Sequence, residues 1–260
     1  MSRVVCFLIF ALVVTPIWAA NPAPPPSDPQ AVGYATKSVA AMTGGIALND
    51  VVLSGNATRI AGSDQQMGTT TLKAKGFAES RIDLILSGGA RSEVRNASAV
   101  PNVGNWLGPD GVVHVIALHN CLIDTSWFFP ALGSLAAAAT NPNVVLAYLG
   151  QVNRPQASFQ HIQAYTYNSM LPNAQAMSTM DFYLDSQTLL PSIVMFNEHP
   201  DNNQTANIAV QVMFSDYRNV QGAQIPFHIQ RYVNDGLVLD VQLTSASVNT
   251  GVSDNNFIVQ

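Results

Sequence analysis

Ile208-Ala209-Val210-Gln211-Val212-Met213-Phe214-Ser215, then Phe227-His228-Ile229, then Asn234-Asp235-Gly236 and Leu237-Val238-Leu239-Asp240-Val241-Gln242-Leu243-Thr244 decide the fold. Ile208, Val210, Val212 and Phe214 recur at every second position against Ala209, Gln211, Met213 and Ser215. Leu237, Leu239, Val241 and Leu243 do the same against Asp240, Gln242 and Thr244. Successive side chains of a strand point to opposite faces, so this period predicts half-buried strands. Asp-Gly between two alternating runs is hairpin chemistry, because the tight turn needs residues that accept positive φ. Pro226 sits at a strand start, where no ladder donor is required.

Working outward, the same period returns in Leu72 to Lys75 and in Ile82, Leu84 and Leu86, with Arg81 and Asp83 on the other face. Ser87-Gly88-Gly89 turns that run into Ala90 to Asn96. Met180, Phe182 and Leu184 alternate with Asp181 and Asp185, and the chain turns through Asp185 to Thr188 into Ile193 to Asn197. Two segments carry helical spacing instead. Asp28-Pro29 opens a helix with Val32, Ala35, Val39 and Met42 on one side, stopped at Gly44-Gly45. A second helix is expected from Asp124 or Thr125, with Trp127, Phe128, Leu132 and Leu135 on one side and an Ala run ending at Thr140-Asn141-Pro142. The fold class is α+β, mainly β. One large, mostly antiparallel, strongly curved sheet with two or three helices is expected, partly closed into a barrel because so many strands exceed what a flat sheet holds.

The chain has 260 residues, of which 48% are apolar and only 10% charged, against about 25% charged in an average soluble domain. Three of its sixteen acidic residues are Glu. A net charge of −5 with no basic run beyond Arg91 to Arg95 gives no footprint for nucleic acid. Residues 1–20 read as a signal peptide: Arg3, an apolar run from Val4 to Val14, a break at Pro16, then Ala19-Ala20. That run is shorter than the roughly 20 residues of a membrane span, so no span is expected in the mature chain. Residues 21–30 hold five prolines and read as a stiff linker, leaving 31–260 as one domain. Cys6 lies inside the leader, so Cys121 is the single cysteine of the expected mature chain and the core carries no internal disulfide. Cys121, two residues after His119, reads as a small buried hydrophobe rather than a nucleophile.

Local chemistry is sparse. There is no Gly-x-Ser-x-Gly elbow, no His-Glu-x-x-His, no phosphate-cradling loop and no cysteine pair for a metal. His114 and His119 fall on opposite faces of a strand, His161 and His228 read as outward, and Glu198-His199-Pro200 reads as a solvated loop. Asp181 and Asp185 share a strand face but stand about 13 Å apart, too far for a carboxylate pair. No catalytic residue, metal or cofactor is assigned.

The order of elements resembles the outer-membrane lipoprotein carrier superfamily, LolA/LolB-like with LppX-like relatives. The resemblance runs through the N-terminal helix, the strand Leu48 to Ile60, Thr69 to Lys75, and Ser80-Arg81-Ile82-Asp83-Leu84 leading to Arg91-Ser92-Glu93. It is densest in the tail, Tyr217-Arg218-Asn219-Val220-Gln221-Gly222 and Ile225-Pro226-Phe227-His228-Ile229. Such a resemblance implies a half-open barrel wrapped around its helices, in an exported, periplasmic or secreted binder of lipid or lipoprotein acyl chains that works without a cofactor. It also implies a sheet arginine that pins a lid helix, for which Arg59 and Arg81 are the candidates. The insert from Asn96 to Gly111 has no counterpart in that pattern.

The expected site is apolar. Trp127, Phe128, Leu132 and Leu135 should cover a concave face carrying Phe182, Leu184, Val210, Val212 and Phe214. The alternative is a structural or protein-interaction domain of the cell envelope, its core filled by its own side chains and its partner another envelope protein. A thiol or esterase-like enzyme using Cys121 is the third reading.

Overall fold

The computed structural model describes residues 22–97, 103–171 and 173–258; the expected leader and the cleavage site lie outside them. Asp28 caps the first helix, α1 (Pro29–Thr43), accepting hydrogen bonds from the N–H groups of Gln30 at 2.7 Å and Ala31 at 3.3 Å. Ala31, Ala35, Ser38 and Met42 form its buried stripe. Gly44 ends it in the left-handed region at φ 62°, where an added Cβ would lie 2.1 Å from the Gly222 carbonyl oxygen. Only glycine fits that approach of the helix end to a distant turn.

Among the described residues thirteen strands follow: β1 (Asp50–Ala61), β2 (Asp64–Lys75), β3 (Glu79–Leu86), β4 (Gly89–Asn96), β5 (Val103–Leu107), β6 (Val113–Val115), β7 (Val144–Arg154), β8 (Ala157–Thr166), β9 (Met180–Asp185), β10 (Pro191–Glu198), β11 (Ile208–Val220), β12 (Ala223–Val233) and β13 (Gly236–Val248). They make one sheet in the order β6-β5-β4-β3-β2-β1-β13-β12-β11-β10-β9-β8-β7, antiparallel at each pairing and open between its outer strands β6 and β7. The chain therefore runs from the sheet centre to one edge, crosses, and returns from the other edge until β13 pairs with β1. The half-open, mainly β architecture expected from the sequence is the one observed.

Two pieces of chain lie against the sheet's apolar face: α1 and the crossing segment between β6 and β7. The crossing segment departs from expectation. The continuous helix from Asp124 to Thr140 does not form; the chain makes short 3-10 turns at Leu118–Cys121 and Pro130–Leu132 and one helical turn, α2 (Ser134–Ala137). Pro130 has no N–H to donate and Gly133 adopts an extended conformation at φ −135°, ψ −148°, so helix cannot propagate from Trp127 into the Ala run. A further short helix, α3 (Ala174–Ser178), leads into β9.

Asp124 organises this irregular stretch. Its carboxylate accepts from the Ser134 N–H at 2.8 Å and from the Ser134 hydroxyl. The linker is also tied down: the Ser27 hydroxyl accepts from the Leu146 N–H at 3.0 Å and the Asp28 N–H donates to the Leu146 carbonyl at 2.8 Å.

Phe128, Phe129, Leu132 and Leu135 of the crossing segment are sealed into one core with Val194, Val212, Phe182 and Ile162 of the sheet. Phe182 is fully buried at the middle of this contact. Phe182→Ala should cost about 3–5 kcal/mol, the usual result of emptying an aromatic site in a close-packed core. Urea denaturation should show a lower midpoint with an unchanged slope.

Candidate functional site

Directly paired residues of neighbouring strands share a face, so the register shows what the concave surface carries. One row crosses Leu53, Leu72, Ile82, Glu93, Trp106 and His114. Another crosses Arg59, Leu239, Arg231, Val212, Val194, Phe182 and Ile162. Each is apolar core at one end and carries charged residues at the other, joined in the first row by Trp106, and both charged ends face the same region. There, between the end of β1, the start of β4, β5 and the β12–β13 hairpin, a cavity of about 410 Å³ remains. Ile60, Ile82, Leu84, Leu107, Val238 and Leu239 supply its apolar wall, Trp127 reaches it from the crossing segment, and Arg59, Arg91, Glu93 and Arg231 add charge.

An ionic network borders the cavity, built on the buried Arg95 with Glu93, Glu198 and Arg231 half-buried around it. Arg95 donates through Nε to Glu93 at 2.7 Å, through Nη2 to Glu198 at 3.3 Å, and through Nη1 to the Asn120 carbonyl. Arg231 donates to the other Glu198 oxygen at 2.7 Å and lies over the Trp127 ring, 5.2 Å from its centroid. Burial pushes the Glu93 carboxyl up, but the Arg95 and Arg231 guanidinia outweigh burial and hold it below the ordinary range. Burial likewise opposes the Arg95 charge, and Glu93 and Glu198 overcome that, raising it.

Asn120 fixes the crossing segment to the far side of the sheet, its side chain exchanging two hydrogen bonds with the His199 backbone at 2.7 and 2.9 Å. Glu198-His199 is thus no solvated loop: His199 is buried, its Nδ1 3.0 Å from the Ala206 carbonyl oxygen. The solvated reading fails because Asn120 and Arg95, distant in sequence, draw this turn inward.

The nominated apolar residues divide. Trp127, Phe128, Leu132, Leu135, Phe182, Leu184, Val210, Val212 and Phe214 are all buried in the same core, so the crossing segment does meet that part of the sheet. Of these, Trp127 alone lines the cavity. The remaining cavity residues come from β1, β3, β4, β5 and the β12–β13 hairpin, where Trp106 is the one aromatic side chain of the lining besides Trp127.

Arg59 stands in the cavity lining. Arg81 points the other way, paired with Asp83 at 2.7 Å and donating to the carbonyls of Asn256, in the C-terminal 3-10 turn (Asp254–Phe257), and of Ile258 just after it, so it pins no lid helix over the concave face.

The histidines take several roles. His161 meets Asp181 at 2.8 Å and stacks on Tyr183, and His228 meets Asp240 at 2.9 Å. His119 lies in a 3-10 turn and not on a strand, its ring 5.9 Å from that of His199. His114 stacks on Trp106 with centroids 4.0 Å apart. Ser215 lies 3.2 Å from His228 Nδ1, which places Ser215, His228 and Asp240 in a line. That line crosses the convex face at an exposed serine, with none of its members in the cavity lining. Cys121 is buried, and burial pushes its thiol up, away from the reactive thiolate. Among the described residues no three His, Cys, Asp or Glu side chains gather as a metal would require, and no helix is long and apolar enough to cross a membrane.

Comparison with solved structures shows the fold to be a known one. A structure described as an outer membrane lipoprotein-sorting protein domain from Vibrio parahaemolyticus superposes with TM-score 0.59 at 12% identity, covering 88% of this chain and 96% of that one. A LolA superfamily protein from Nitrosomonas europaea gives TM-score 0.55 at 9% identity, over 88% and 97% of the two chains. A DUF1329 family protein from Desulfovibrio piger gives 0.56 at 11%, over 89% and 98%. No protein-family profile and no curated protein sequence matches the chain. The chain has the fold of the LolA superfamily, at identities where backbone geometry and not sequence carries the likeness.

Arg95→Met leaves Glu93 without its main counter-charge and should cost about 3–5 kcal/mol at neutral pH. In the native protein Glu93 titrates below its unfolded value, so its contribution is present above about pH 4.5 and is lost as pH falls through the folded value. The deficit of the variant should therefore shrink toward acid, which chemical denaturation at pH 7 and pH 4 would measure.

Proposed function

We propose that this chain is an exported, non-enzymatic binding protein that holds an acyl chain of a lipid or lipoprotein in the cavity of its half-open barrel. One observation carries the reading: after α1 and the crossing segment have filled the sheet's concave face, an apolar-walled space of about 410 Å³ is left at the end lined by Leu84, Val238 and Leu239. That volume is at the lower end of the roughly 300–1,000 Å³ typical of small-molecule sites. It suits one chain better than several. The shared LolA-superfamily fold supports the same reading. Burial of methylenes supplies the affinity, and nothing in the site has to react.

The earlier nomination shifts accordingly. Val212 and Phe214 are core, so a charged residue at either should unfold the protein rather than empty the site. Leu239→Trp is the better probe, because the larger side chain grows into the void.

Native mass spectrometry of the mature protein, purified from the exported fraction, should detect a co-purifying lipid that Leu239→Trp loses while keeping its melting temperature. Across a homologous series of fatty acids, affinity should rise about fourfold per methylene until the cavity is full. A clean apo mass with no uptake of any chain would contradict the reading. It would favour the second one, an interaction domain, to which the exposed Val113 and Val115 beside Trp106 would then belong.

A further inference from the structure

We propose that the cavity selects amphiphiles with a single chain and an anionic head, carboxylate or phosphate, held between Arg59 and Arg91 at its mouth. This inference rests on the acyl-chain reading above and specifies its ligand. Glu93 and Glu198 are matched by Arg95 and Arg231 in the ionic network, so these four groups sum to zero. Arg59 and Arg91 are left over. Strand alternation puts Arg59 on the same face as Leu53 and Ala57, and Arg91 pairs directly with the inward Leu84, so both project from the concave side. Both line the cavity.

None of the ion pairs among the described residues includes either of them. Arg91 Nε is buried without a hydrogen-bond partner there. Burial first and the like charge of Arg59 second hold the Arg91 guanidinium below its ordinary range, with Asp64 and Asp110 offsetting only part of this. Asp64 is engaged by Gln66 at 2.6 Å, and Asp110 by the Val112 N–H at 3.1 Å and by His114 at 3.6 Å. Two guanidinia at an apolar mouth repel each other until an anion lies between them. A carboxylate or phosphate accepts from both forks, while its chain follows the apolar wall inward.

The test titrates the mature, delipidated protein with palmitate, palmitoyl-lysophosphatidate and the neutral 1-palmitoylglycerol. Both anions should bind at least about tenfold more tightly than the neutral amphiphile, with the margin narrowing at high salt. The ranking of the two anions tells which head the arginines fit. Arg59→Gln/Arg91→Gln should erase the margin and leave the affinity for 1-palmitoylglycerol unchanged, and Arg59→Lys/Arg91→Lys should keep most of it. Equal affinity for all three lipids would overturn this inference while the acyl-chain reading stands. Inorganic phosphate binding as tightly as the lipids would overturn it as well. Uptake of none of the lipids would overturn both.

Discussion

An open sheet of this size has an apolar concave face that water must not reach, and the rest of the molecule follows from how that face is covered. Because β1 and β13 pair at the centre while β6 and β7 stand at opposite edges, the connection between the edges has to span the concavity. The chain uses that obligatory crossing as its core filler. Phe128, Phe129, Leu132 and Leu135 are placed there by connectivity, and α1 packs beside them. Asn120 anchors the span to the sheet through the His199 backbone and Arg95, and Asp124 braces it internally on Ser134. Dispersion and burial supply the free energy, and these polar anchors set where the filler stops.

Where the filler stops is where function can begin. The inner rows of the sheet change from Val and Phe to Arg, Glu and Trp at the point where the crossing segment no longer reaches them. A charge quartet built on a buried arginine is expensive to desolvate and would weaken an ordinary core. Here it forms a polar floor on which Trp127 is held under Arg231, with unfilled space beyond. A lid is not required for that arrangement. Arg81, a candidate for pinning one, is occupied on the convex side by Asp83 and the C-terminal turn.

Much of the fold was legible because its strands are half-buried. β3, β9, β11 and β13 alternate cleanly, and Asp28-Pro29 and Gly44-Gly45 bracket α1 where capping chemistry says they should. β7 was silent for a physical reason: Val144, Val145 and Leu146 are buried consecutively, so no period of two exists to read. In the crossing segment the Ala run outweighed Pro130 and Gly133 in the reading, but the chain obeys the breakers. The site was less legible. Arg91, Glu93 and Arg95 alternate as plainly as any apolar triplet, yet charged residues are ordinarily assigned to solvent. Glu198 and Arg231, more than a hundred residues away, complete the charge balance that lets Arg95 be buried beside Glu93.

The central claim is that the filled core and the open cavity are separate regions of one concave face. Paramagnetic broadening of methyl NMR signals by a bound spin-labelled fatty acid tests it most directly. The account expects broadening at Ile60, Leu84, Leu107, Val238 and Leu239, with Val194, Val212 and Leu132 spared. Broadening centred on Val212 and Leu132, or confined to Val113 and Val115 on the outer hairpin, would contradict it.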